Sequence, residues 1–202
     1  MSLIRKVRSV LELFRELDNE IEKFSAESGL KCKPGCGECC LYPKVHATIL
    51  EFIPFAYKMM LEQRAVALLE TLKSKDAESS YCLIYNPISL SSKQGNCSDY
   101  PNRGLICRLY GYSASMNKDN SLSLITCAII KSNNPEFFRN ADSLLASAEH
   151  LPIAAEYYSR LQSTDLPLSL QSYPINVAIR KALEHVLAYY SYRNFPKQFI
   201  NH

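Results

Sequence analysis

The chain has 202 residues, 47% of them hydrophobic, and 23 Lys and Arg against 20 Asp and Glu leave a formal net charge of +3. That is enough apolar material for a real core without covalent staples, and too little clustered basic charge for a nucleic-acid surface. No stretch is apolar and long enough to span a bilayer, and the sequence start lacks the apolar run and cleavage site of an export signal, so we expect a cytoplasmic protein that binds neither membrane nor nucleic acid.

Ile4, Val7, Val10, Leu11, Phe14, Leu17, Ile21 and Phe24 recur at three- and four-residue steps, with Arg5, Glu12, Glu16, Glu20 and Lys23 largely between them. This spacing predicts an amphipathic helix that ends at Gly29 and lays its apolar stripe on the rest of the domain. Thr48 and Glu51 stand at capping-box spacing. Pro54 predicts a kink or restart, followed by helix through Leu61, Val66, Leu69 and Leu72 and a polar break over 74–80. Short strands are expected at 82–85 and 122–130 in a region otherwise rich in Asn, Ser, Gly and Pro. Pro135, Pro152 and Pro174 sit where a first helical turn tolerates proline and open segments expected to run through Ala148, to about Leu161 and to about Tyr192, with 163–172 as a connecting loop. There is no internal repeat, low-complexity tract or Gly-rich phosphate loop.

Four of the eight cysteines lie in nine residues, Cys32-Lys-Pro-Gly-Cys36-Gly-Glu-Cys39-Cys40, and the others, Cys82, Cys97, Cys107 and Cys127, follow singly. In a reducing compartment and a chain of this size, such crowding points to metal ligation rather than disulfides. Pro34, Gly35 and Gly37 allow the loop to fold back so that thiolates converge. The two-residue gap between Cys36 and Cys39 suits one tetrahedral zinc or two corners of an iron-sulfur cluster. Adjacent thiols such as Cys39 and Cys40 tend to point apart, which suggests two centres or one multinuclear cluster; eight thiolates would fill two all-sulfur sites. Cys82 and Cys127, taken alone, also read as ordinary buried cysteines. His46 is close enough in sequence to add a nitrogen ligand but reads more simply as exposed or structural; His150 and His185 fall on expected helices, and His202 is terminal. Tyr157, Tyr158, Tyr189, Tyr190 and Tyr192 read as packing residues with exposed hydroxyls.

The cysteine loop, together with the segment from Asn96 and Cys97 through Tyr100, Arg103, Cys107 and Arg108 to Tyr112, resembles the YkgJ-type cysteine-cluster family, described as a zinc- or iron-chelating domain. Cys36, Cys39 and Cys40 match its compact part, Cys82 and Cys97 its isolated cysteines, and Arg103, Cys107 and Arg108 its closing element. Gly104 stands where that family usually has proline, Cys32 and Cys36 enclose three residues rather than two, and Cys127 extends the pattern. The resemblance implies that Cys32, Cys36, Cys39, Cys40, Cys82, Cys97, Cys107 and Cys127 are candidate ligands for zinc or iron, including a 4Fe-4S cluster. Arg103 and Arg108, as cations near several thiolates, would offset the charge of the centre; surface ion pairs are the plain alternative.

The expected fold is mainly α with a small irregular α+β cysteine-rich metal-binding insert: a single domain over 1–202, with a cysteine-cluster core at 30–130 and helical flanks at 1–29 and 131–202. The expected function is metal binding in a structural, chelating or redox role. Two alternatives stay open. One is an iron-sulfur, S-adenosylmethionine-dependent enzyme that modifies proteins, in the manner of a lysine methylase, since Cys32-x3-Cys36-x2-Cys39 has the radical signature's spacing. The other is a zinc-stabilised scaffold that docks a protein partner.

Overall fold

The computed structural model describes residues 1–33, 35–42, 44–74, 81–89, 94–145, 147 and 150–194. The N-terminal periodicity forms α1 (Leu3–Ser28), opened by the Ser2 hydroxyl, which accepts the Arg5 N–H, and closed by Gly29 at φ 75°, a left-handed turn that suits glycine. Its buried face runs through Leu3, Val7, Val10, Leu13, Phe14, Leu17 and Phe24; Leu3 and Leu13 are additions to the expected stripe, of which Ile4, Leu11 and Ile21 are only partly buried. The cysteine loop follows and contains α2 (Glu38–Leu41), which leads into β1 (His46–Thr48).

A 3-10 turn, Leu50–Phe52, precedes α3 (Ile53–Leu61), so Pro54 does mark a restart, placed where its missing N–H costs nothing. The helix expected to continue through Leu72 instead breaks. Gln63 adopts φ 60°, and the Gln63 and Arg64 N–H groups return to the Met60 and Met59 carbonyls, the paired bonds that end a helix, before α4 (Ala65–Ser74) begins. Residues 75–80 of the expected polar break lie outside the described residues.

The middle third departs most from the expected elements. Cys82 lies in a turn whose carbonyl accepts the Tyr85 N–H, and the strand starts only there: β2 (Tyr85–Ser89) pairs antiparallel with β3 (Gln94–Cys97), Tyr85 facing Cys97. A 3-10 turn, Tyr100–Asn102, leads to α5 (Leu105–Leu109). A second hairpin joins β4 (Ser113–Met116) to β5 (Leu122–Ile125). The strand expected over 122–130 stops at Ile125, because the Cys127 sulfur accepts the Ile130 N–H at 3.4 Å and starts α6 (Ala128–Asn133).

Pro135 opens α7 (Pro135–Ser143), shorter than expected; Ala148 lies outside the described residues, and His150 lies in a turn rather than on a helix. Next come α8 (Ala154–Thr164) and α9 (Leu166–Ser169), the latter capped by Asp165 inside the expected loop. Then β6 (Ser172–Pro174) pairs with β1 and delivers the chain to α10 (Ile175–Tyr190). Among the described residues no helix is long and apolar enough to cross a membrane.

The main core brings together α1, α3, α8 and α10 with α5, so the cysteine-bearing segment shares one apolar interior with the helices on either side. Fully buried Val7, Leu17, Ile53, Tyr57, Leu105, Ile179, Leu183 and Val186 carry it, each apolar side chain contributing about 1.5–3 kcal/mol. A smaller cluster of Phe24, Leu30, Ile130 and Ala141 seats α6 and α7 against the end of α1. This is the mainly helical fold with an irregular α+β insert that the pattern predicts.

One buried carboxylate joins the two parts. Glu51, with no exposed surface, accepts the Thr48 N–H at 2.8 Å through one oxygen and the Ile106 N–H at 2.9 Å through the other. The capping box is therefore only half formed: among the described residues the buried Thr48 hydroxyl makes no capping bond to the backbone, and the second oxygen of Glu51 instead caps α5. Burial outweighs these bonds and raises the carboxyl to about 7. Gly104 passes so close that a Cβ there would lie 2.9 Å from Phe52 Cζ and 3.1 Å from Glu51 Oε2. Glu51→Ala should lower the urea midpoint by an amount equivalent to about 1–3 kcal/mol, since two buried donors lose their acceptor. Gly104→Ala should cost a similar amount, about 1–3 kcal/mol, by overpacking, and a midpoint unchanged in either variant would contradict the bridging role.

Candidate metal centre

The loop from Cys32 to Cys40 is held as an added edge of the β2–β3 hairpin. Cys36 bridges to Gln94, the Gly95 N–H donates to the Gly35 carbonyl at 3.1 Å, and the Cys82 N–H donates to the Cys40 carbonyl at 2.9 Å. Gly35 sits at φ 70°, the left-handed turn the loop needs. Gly37 has a negative φ and is small for a different reason: a Cβ there would lie 2.3 Å from the Tyr85 ring, and one at Gly95 would lie 2.4 Å from it. The front of the loop is tied to a later segment, the Cys32 N–H donating to the Tyr112 hydroxyl at 2.8 Å across 80 residues.

All eight cysteines are free thiols. Cys32 and Cys39 are exposed, Cys82 is buried, and the other five are intermediate. Cys39 is central. Its charge would raise each of Cys32, Cys40, Cys82, Cys97 and Cys107, and Cys127 acts on Cys32. Among the described residues, no three His, Cys, Asp or Glu side chains have the spacing of a formed ion site, so the thiols are gathered in one region without being closed on one point.

Burial is the main force on most of these thiols. It pushes Cys82 up to about 12 and raises Cys97 and Cys107, and partial desolvation of its sulfur pushes Cys32 up to about 11 although that residue as a whole is exposed; neighbouring thiolates add to all four. Cys39 and Cys40 influence each other: their interaction is the main cause that lowers Cys39 to about 7, and together with burial it raises Cys40. One thiol of the pair ionises near neutral pH, as a metal ligand must.

The two arginines lie on the α1 side of α5. Arg108, 2% exposed, pairs with Asp18, donates to the Pro101 carbonyl and to the Arg103 carbonyl at 3.3 Å, and lies 4.4 Å from the Phe14 ring centre. Arg103 stacks 3.7 Å from the Tyr100 ring centre and donates to Asp18 at 3.3 Å, while its charge lowers the Cys97 thiol. Asp18, which anchors both, carries no sequence signal beyond lying in α1. His46 is an exposed residue of β1 whose Nδ1 meets the Lys44 carbonyl, His185 lies on α10 beside Lys6 and Asp165, and His202 is outside the described residues.

The donor set fits zinc or iron, since soft thiolates suit both and a cation would relieve the mutual repulsion that now raises these thiols. The sequence comparison agrees. Residues 31–128, just under half of the chain, match the model of the CxxCxxCC family, described as "Putative zinc- or iron-chelating domain". No curated protein and no solved structure matches the chain. The matched segment, residues 31–128, spans every one of the cysteines, so the likeness to the CxxCxxCC family rests on the part of the chain that carries the thiols.

Proposed function

We propose that the protein is a metal-binding protein of the cytoplasm in which Cys32, Cys36, Cys39, Cys40, Cys82, Cys97, Cys107 and Cys127 ligate zinc or iron in one multinuclear thiolate centre. The observation that carries this reading is that backbone pairing joins cysteine-bearing segments distant in sequence: Cys36 bridges Gln94 of the hairpin, the Cys82 N–H donates to the Cys40 carbonyl, and Cys97 lies on the same hairpin, all with free thiols. Cys39 and Cys40 stand side by side on the single turn of α2, which favours a shared centre over two separate ions. A bound ion would supply charge neutralisation and cross-linking. Arg103 assists through the Cys97 side, and Arg108 supports the centre by fixing α5, which carries Cys107. The whole chain works as one domain, the helices at either end forming the wall on which the cysteine segment is built. Free thiols throughout favour a reducing compartment.

The enzyme and scaffold alternatives gain no specific support. The paired strands that are described all belong to two-stranded antiparallel sheets, without the repeated β/α alternation of a barrel.

Protein purified without oxygen should carry zinc or iron in stoichiometric amount. Brown protein with acid-labile sulfide identifies an iron-sulfur cluster, colourless protein with zinc identifies a thiolate zinc centre, and protein free of both metals refutes the proposal. Cys36→Ser in the loop and Cys107→Ser in α5 should each lower metal content and thermal stability together, because metal binding here contributes to folding. Since ligation displaces protons from raised thiols, apparent affinity should fall as pH drops from 8 to 6 in a competition titration; a flat profile would count against thiolate ligands.

A further inference from the structure

The Tyr85 hydroxyl, beside the cysteine loop, is buried and has no hydrogen-bond partner among the described residues. We propose that Tyr85 donates a hydrogen bond to a metal-bound sulfur of Cys36, Cys39 or Cys40 in the loaded protein, and so sets both the affinity and the electronic character of the centre. The inference rests on the metal-binding reading above and adds to it a residue that ligates nothing.

Three observations place the hydroxyl there. Tyr85 is 5% exposed, and its ring tip lies between Gly37 of the loop and Gly95 of β3, so close that neither position has room for a Cβ. The clamp has no backbone purpose at Gly37, where φ is −101°. The residue is also fixed from behind: its N–H donates to the Cys82 carbonyl at 3.0 Å, and it faces Cys97 across the hairpin. Finally, the groups whose charge reaches the hydroxyl are Cys40, Cys36, Cys39 and Glu38, all on the loop side. A phenol has one O–H to give, and a thiolate accepts it without competing for the metal. Leaving that donor buried and unpaired is costly in the metal-free protein, and the cost disappears once an anionic sulfur is drawn toward it. Hydrogen bonds to ligating sulfurs are among the factors that tune thiolate metal centres.

Tyr85→Phe keeps the ring between the two glycines and removes only the donor. Co2+ titrated into the metal-free protein, with the sulfur-to-cobalt charge-transfer band as readout, should show affinity reduced about 10- to 100-fold and a displaced band, the range expected for loss of a partner behind a ligand. The metal-free variant should melt at the same temperature as wild type or higher, because the orphan hydroxyl has gone. Equal affinity with an unchanged band overturns the proposal and leaves the metal-binding reading intact. A variant that loses affinity only because its metal-free form has also become less stable also overturns it, showing Tyr85 to be packing alone. Wild-type protein that develops no charge-transfer band refutes thiolate ligation itself, and the Tyr85 proposal falls with it.

Discussion

The carboxylate of Glu51 is the constraint on which the arrangement of the thiols depends. It lies where two chain segments distant in sequence, at Thr48 and Ile106, each present a backbone donor, and its two oxygens satisfy one donor each. A single side chain thereby sets the position of α5 relative to the 3-10 turn and α3, and α5 carries both Cys107 and Arg108. Gly104, pressed against Phe52 and the same carboxylate, permits the approach. This is the position at which glycine stands in place of the proline usual in the family that the cysteine segment resembles; in this chain the space is taken by neighbouring side chains, and glycine meets the demand.

From that fixed point the rest of the site follows by short links. Arg108, buried against Phe14 and paired with Asp18, anchors the far side of α5 to α1. The hairpin of β2 and β3 carries Cys97 opposite Tyr85 and accepts the cysteine loop along its edge. Hydrogen bonds of the backbone, rather than sulfur chemistry, bring Cys40 beside Cys82. What the polypeptide cannot do alone is remove the repulsion among so many ionisable sulfurs in a partly dry setting, and most of them respond by holding their protons. Cys39 goes the other way, chiefly through its interaction with its neighbour Cys40.

Much of this was legible in the amino-acid order, and the remainder was hidden for identifiable reasons. The apolar period of α1, the restart at Pro54 and the proline-opened helices depend on local preferences and could be read directly. The crowding from Cys32 to Cys40 announced ligation chemistry without any fold. By contrast, the break at Gln63 uses a residue with no special liking for left-handed backbone, and α6 starts on a sulfur, an acceptor that no capping pattern includes. Glu51 could be read as a cap from Thr48, but its second partner, Ile106, is a long-range neighbour that periodicity cannot reveal. Tyr85 was lost among thirteen tyrosines, and only the two glycines packed on its ring set it apart.

The long tether between the first and last sulfurs has an energetic corollary. A covalent or coordinate link joining Cys32 to Cys127 would close a ring of roughly a hundred residues, and in the chain-entropy picture such a ring restricts the unfolded polymer by on the order of 4–5 kcal/mol. Most of the benefit of an ion spanning that distance would therefore come from the states it forbids, and chelation would act as a reversible clasp whose grip is set by how far apart its two ends were synthesised.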